Sequence, residues 1–179
     1  MGRERRYPEI GGCGINCSLC PKKYTVGKSQ CDGCCSKGFW DELRMCPMAS
    51  CLLKSDKEFC YECELYPCEK NIKFQKWDSF VSHEKTLDVL GKLKVEGLNK
   101  YLGELEIREK IFKELVEKYN NGRMKTFYSR VVILFELSAL EEIHRNITSN
   151  YSQYDKEIKD YIKIVAIENN INLKSRKGV

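Results

Sequence analysis

The stretch CGINCSLC, running from Cys13 to Cys20, puts three thiols into eight residues, and all eleven cysteines of the chain lie between Cys13 and Cys68. Thiolates are soft ligands and nucleophiles, so this density admits disulfides, metal sites, cluster sites or redox catalysis. Cys17-x2-Cys20 is followed after ten residues by Cys31-x2-Cys34. Two such pairs joined by a short loop predict a tetrahedral four-thiolate site. Two intervening residues let a tight turn present both sulfurs to one ion at about 2.3 Å. Pro21 and Gly33 stand where such turns want them.

A second set opens with Cys46-x4-Cys51 and continues with Cys60-x2-Cys63, and Cys68 can replace either member of the Cys46/Cys51 pair. Eight thiols therefore make two closed sites, with zinc the favoured ion and about two ions per chain. Cys13, Cys35 and one thiol of the second set are left over. Few large apolar side chains lie between the cysteines, and a structural zinc site supplies on the order of 10–16 kcal/mol of apparent binding energy. The sites are thus expected to hold the segment together, and replacing Cys20 or Cys31 by serine to unfold it.

The other chemistries fare less well. Cys13-x3-Cys17-x2-Cys20 has the spacing of the cluster motif of radical S-adenosylmethionine enzymes, but the alternating strands and helices that surround such a cluster are missing. The ferredoxin run ending in Cys-Pro is missing too. An iron–sulfur cluster held some other way stays the alternative, since spacing alone does not separate iron from zinc. A redox Cys-x-x-Cys needs a βαβ setting that the sequence lacks. Disulfides are disfavoured by the odd count and by the absence of a secretory signal, which places the chain in the reducing cytoplasm.

Positioning these thiols falls to two unlike segments. Residues 1–68 hold every cysteine and all four prolines, and residues 69–179 hold neither. The second segment is free to be helical almost throughout. Apolar spacing predicts helices from about Glu69 to Ser82, from Thr86 through Leu87, Leu90 and Leu93, and from Glu104 to Tyr119 with a stop at Asn120–Gly122. A fourth is predicted from Thr126 to Asn146, with VVILFELSAL as a buried central helix, and a fifth from Tyr154 to Asn169. The fold expected is mainly α: an irregular, zinc-stabilised Cys-rich module, residues 1–68, packed on a C-terminal helical bundle, residues 69–179.

No apolar run approaches the roughly 20 residues needed to cross a bilayer. The net charge of +5 is spread as 10 basic against 9 acidic residues over 1–68 and 21 against 17 over 69–179. Neither half carries the dense single-sign field of an electrostatic nucleic-acid binder, so that role has weak support. Arg123, Lys125 and Arg130 surround a predicted helix start and could hold an anion, but ordinary surface charges are the simpler reading. His83 and His144 are read as helix-end residues rather than ligands. No catalytic residue can be assigned, and enzymatic activity is left open.

Taken in order, CGINCSLCP, CDGC, CPMASC and CYECELYPCEK resemble the cysteine-rich prokaryotic family known as domain of unknown function 3795. The resemblance covers residues 13–68 and extends loosely to residue 145 through YNNGRMKTFY. It implies a zinc-binding domain of a cytosolic protein and no established activity. Relatives carry a further cysteine where this chain has FWDELRM, a role that Cys35 could take over. The expected function is a zinc-binding interaction module that presents its loops and Trp40 to a partner protein; the alternative is an iron–sulfur or reactive-thiolate redox protein.

Overall fold

A computed structural model describes residues 5–36 and 46–177. Trp40 and the FWDELRM segment lie outside the described residues. Seven α-helices and no strand occur among the described residues: α1 (Pro47–Ser55), α2 (Glu69–Phe74), α3 (Thr86–Glu96), α4 (Leu98–Lys118), α5 (Lys125–Leu134), α6 (Leu137–Asn150) and α7 (Lys156–Glu168). The described residues before α1 form no α-helix and use tight helical turns at Cys17–Leu19 and Pro21–Tyr24. A third turn, Cys60–Glu62, lies between α1 and α2.

The 21-residue α4 is the spine, with α3, α5 and α6 packed on it. Its buried positions Leu105, Arg108, Ile111, Phe112 and Leu115 recur every three or four residues, the period that aligns side chains on one helix face. One apolar core joins the two segments: Ile10, Leu19, Met48, Leu52 and Phe59 are buried in the same cluster as Leu90, Phe112, Val131 and Leu140.

Polar ties pin the irregular segment onto the bundle. The Tyr101 hydroxyl donates to Asn16 Oδ1 at 2.8 Å, and the Ser129 hydroxyl donates to the Leu19 carbonyl at 2.6 Å. Tyr24 sets its ring edge-on to Phe112, while its carbonyl accepts from Lys125 Nζ at 2.6 Å. The loops that carry Cys17 and Cys20 are therefore docked on α4 and α5.

Three helix expectations are corrected. The helix expected over Glu69–Ser82 stops at Phe74. Asp78 captures the following chain: its carboxylate accepts from the Ser82 hydroxyl, the His83 N–H, Arg130 and Arg176. Four such bonds outweigh the helical ladder, and Ile72 and Phe80, expected on the apolar stripe, are exposed. The helix expected over Thr126–Asn146 is two helices. Phe135 and Glu136 are extended, and the carbonyls of Val132 and Phe135 accept instead from Arg108 Nη1, at 2.7 and 2.8 Å. The apolar run VVIL is buried as expected, but a buried arginine ends its helix. Finally, α4 starts at Leu98, with Gly97 at φ 87° separating it from α3.

Candidate metal centres

Cys13 sits at the tip of a turn closed by the Gly14 N–H to the Gly11 carbonyl at 2.7 Å. Gly14 has φ 87°, and a Cβ there would fall onto the Thr86 carbonyl at the start of α3. That position needs glycine for both reasons. Cys17 opens the first helical turn. Cys34 is drawn in from the loop by its N–H, which donates to the Pro8 carbonyl at 3.0 Å. Cys46 caps α1, its sulfur accepting from the Ala49 N–H at 3.5 Å.

These four thiols form the first group, with Cys34 at its hub. Cys34 is close enough to raise the pKa of Cys13, Cys17 and Cys46 through its charge. Burial is the larger cause of the rise in all three. Cys35, in the left-handed conformation at φ 60°, lays its sulfur 3.8 Å from that of Cys34. The hydrogen bond from Cys35 lowers the Cys34 pKa against the opposing effect of burial, and the nearby Arg5 guanidinium and the Gly12 N–H lower it further. Arg5 is itself buried. It donates to the carbonyls of Ile10 and Glu58 at 2.6 and 2.8 Å, yet its Nε has no partner.

The second group comprises Cys51, Cys60, Cys63 and Cys68, which together line a cavity of about 70 Å³. Cys51 comes from α1, and Cys60 and Cys63 bracket the third helical turn, closed by the Cys63 N–H to the Cys60 carbonyl at 3.1 Å. Cys68 caps α2. Met48, Leu52 and Tyr66 complete much of the wall. Asn71, 3% exposed, also lines it: its Oδ1 accepts from the Cys68 N–H at 3.3 Å and from the Cys68 thiol at 3.2 Å. Its Nδ2 is buried with no partner at hydrogen-bond distance. Burial pushes the Cys60 thiol up to about 11.

Cys20 and Cys31 flank the first group, and the charge of Cys20 also raises the Cys17 pKa. Cys20 borders Cys17, but Cys31 is the thiol whose charge acts on it. The Cys31 N–H reaches the Lys22 carbonyl at 3.3 Å, which holds Cys31 beside the Cys20 turn. The spacing groups Cys17, Cys20, Cys31 and Cys34 as one set; in the fold Cys34 also neighbours Cys13 and Cys46. All eleven cysteines are free thiols. Among the described residues, no three His, Cys, Asp or Glu side chains converge closely enough to hold a single metal ion. A tetrahedral zinc with bonds of about 2.3 Å requires its sulfurs about 3.8 Å apart, so both groups are more open than a closed zinc site.

The histidines and the basic residues are used elsewhere. His83 is buried, stacked on Phe74 at 4.0 Å, with Nε2 against the Ser79 hydroxyl and Nδ1 against the Phe74 carbonyl. His144 pairs with Glu114 at 2.9 Å. Lys125 is spent on Tyr24 and Arg130 on Asp78 and the carbonyls of Leu173 and Lys174, so neither awaits an anion. Arg5 and Asn71 were not legible as site residues. Asn71 had a local signal, since it stands three residues after a helix-capping cysteine. Arg5 had none, because its partners lie up to 53 residues away.

Compared with known proteins, the chain matches no protein-family model, no curated protein and no solved structure. The resemblance in cysteine spacing described above rests on those spacings alone.

Proposed function

We propose that this chain is a thiolate metalloprotein with two adjoining four-cysteine centres, Cys13/Cys17/Cys34/Cys46 and Cys51/Cys60/Cys63/Cys68. The observation that carries the reading is the lining of the second cavity. Four thiols from three separate backbone elements share it with a buried amide N–H that has no other partner. Native proteins leave few buried donors unpaired, and a site for an unbound anionic group is one accepted reason. Thiolates held on a metal are such a group.

On this reading metal binding organises the irregular segment on the bundle, because ligand binding to the folded state alone is folding energy. Zinc, the ion favoured by spacing, would require the sulfurs of either group to contract around it. A reducing, cytoplasmic setting belongs to the proposal, since eleven free thiols need one to persist. So does a partner protein for the loops, which expose Val26 and Leu65 to solvent.

The test is metal content per chain after purification without oxygen, for the wild type and for Cys13→Ser and Cys60→Ser. Each substitution should remove the metal of one centre. Protein that carries no metal, and whose thermal stability ignores a strong chelator, would overturn the reading.

A further inference from the structure

We infer that the second centre is built for an iron–sulfur cluster, held by Cys51, Cys60, Cys63 and Cys68, with Asn71 donating a hydrogen bond to one of its sulfurs. The inference rests on the metalloprotein reading and goes beyond it by naming the group bound.

Size comes first. The cavity of about 70 Å³ is several times the roughly 10–15 Å³ that a single water needs on the same measure. The four sulfurs surround that space without three of them closing on one point. A bare ion would rattle there unless the wall collapsed. A polynuclear core reaches all four thiolates across it, and four cysteines are the ordinary ligand set for such a core.

The wall chemistry agrees. Met48, Leu52 and Tyr66 keep water from one side, while exposed Cys51 and Lys70 mark the open edge. A cluster with four thiolates is an anion, and the ammonium of Lys70 at the rim offsets part of that charge. Asn71 supplies what a cluster sulfur lacks in an apolar wall, a fixed N–H donor. Its Oδ1 is committed to Cys68, and its Nδ2 is left unpartnered in a residue that lines the cavity. Hydrogen bonds to cluster sulfurs stabilise the more negative, reduced state and so raise the reduction potential.

Assembly balances without an outside oxidant. Iron enters as a ferrous and ferric mixture, sulfide as hydrosulfide, and four iron–thiolate bonds form as the thiol and hydrosulfide protons pass to solvent. Reduction adds one electron to the cluster, supplied in the test by dithionite, which is oxidised to sulfite.

The experiment is anaerobic reconstitution of the full chain with that iron mixture and sulfide, and in parallel with zinc. Iron, sulfide and zinc are counted, and the midpoint potential is read by dye-mediated titration. Cys51→Ser identifies the second centre, since that exposed ligand can change without disturbing the core. Asn71→Asp keeps the oxygen that caps Cys68 and removes the N–H donor. The expected result is iron with equimolar sulfide and a broad brown absorption. The share assigned to this centre is lost in Cys51→Ser, and the midpoint potential falls in Asn71→Asp. If the centre takes one zinc and refuses iron and sulfide, the inference is wrong and the metalloprotein reading stands. Were neither zinc nor iron to bind, both would fall. A cluster whose potential ignores Asn71→Asp would overturn the role of Asn71.

Discussion

The backbone N–H of Cys60 donates to the carbonyl of Gly12 at 2.8 Å, so a ligand of the second thiol group is fastened to the residue just before Cys13 of the first. The two thiols are near enough for the charge of Cys60 to raise the pKa of Cys13. The two thiol groups are thus tied together through the Gly12–Cys60 backbone bond. Gly12 itself is boxed in: a Cβ on it would run into the Leu52 side chain and come within 2.9 Å of the Glu58 carbonyl.

Gly12→Ala is therefore expected to cost about 1–3 kcal/mol, the usual penalty for overpacking, and to lower metal occupancy at both centres together. Metal analysis alongside thermal unfolding checks this. Loss at one centre with the other intact would show the contact to be incidental.

Arg108 carries a second prediction. It is buried, it donates to the Glu104 carboxylate at 2.7 Å, and it satisfies the two carbonyls released where α5 ends. Arg108→Ala leaves those groups buried without a donor. Breaking a buried charged network costs about 3–5 kcal/mol, to be read as a shift in the denaturation midpoint. Arg108→Lys should recover only part of it, because one ammonium cannot match a planar fork that serves Glu104 and two carbonyls.

What the sequence conveyed depended on how local each determinant was. Helices α3 and α7 and the C-terminal two thirds of α4 follow from apolar spacing within their own residues, and Asn120–Gly122 does stop α4: the Asn120 side chain accepts the N–H groups of Gly122 and Met124. The split of α5 from α6 was not legible, since its cause, Arg108, lies 24 residues upstream of the first carbonyl it binds. Asp78 ended α2 early in the same way, by recruiting Arg130 and Arg176 from across the chain. The thiols divide similarly. Cys60, Cys63 and Cys68 are neighbours in sequence and share a cavity, whereas Cys13 and Cys46 meet Cys34 only because the fold returns the chain to Pro8 and starts α1 there.

His83 gives the fold an acid-sensitive point. Burial between Phe74 and Trp77 depresses its pKa from 6.5 to about 4, against the opposing influence of the Phe74 carbonyl and Asp78. The unfolded chain therefore binds an extra proton between those values. Stability linked to His83 is full above about pH 6.5 and falls by about 3 kcal/mol as the pH drops to about 4. Asp78 does not contribute over this window: burial raises its pKa, but bonds from Arg176 and Arg130 outweigh burial and hold it well below the usual carboxylate range. Denaturant titrations across pH should give a wild-type slope that His83→Gln lacks. Equal slopes would mean that His83 protonates freely in the folded state.

The grouping of thiols is tested most directly at Cys20. Spacing alone ties Cys20 to Cys17 in one site, and on that basis Cys20→Ser should strip a metal and unfold the segment. The fold sets Cys20 against Cys31, on a turn already held by the Cys20 N–H to the Cys17 carbonyl at 3.1 Å and by Lys23 N–H to the Cys20 carbonyl at 3.0 Å. Those backbone bonds survive the substitution. Cys20→Ser and Cys31→Ser should consequently keep the metal content of the wild type, with stability changed by no more than about 1 kcal/mol, as for a side chain outside the buried core. Cys17→Ser, whose thiol neighbours Cys13 and Cys34 as well as Cys20, should lose the metal of the first centre. Equal losses in Cys17→Ser and Cys20→Ser would restore the grouping read from spacing, and Cys13 and Cys46 would then be bystanders.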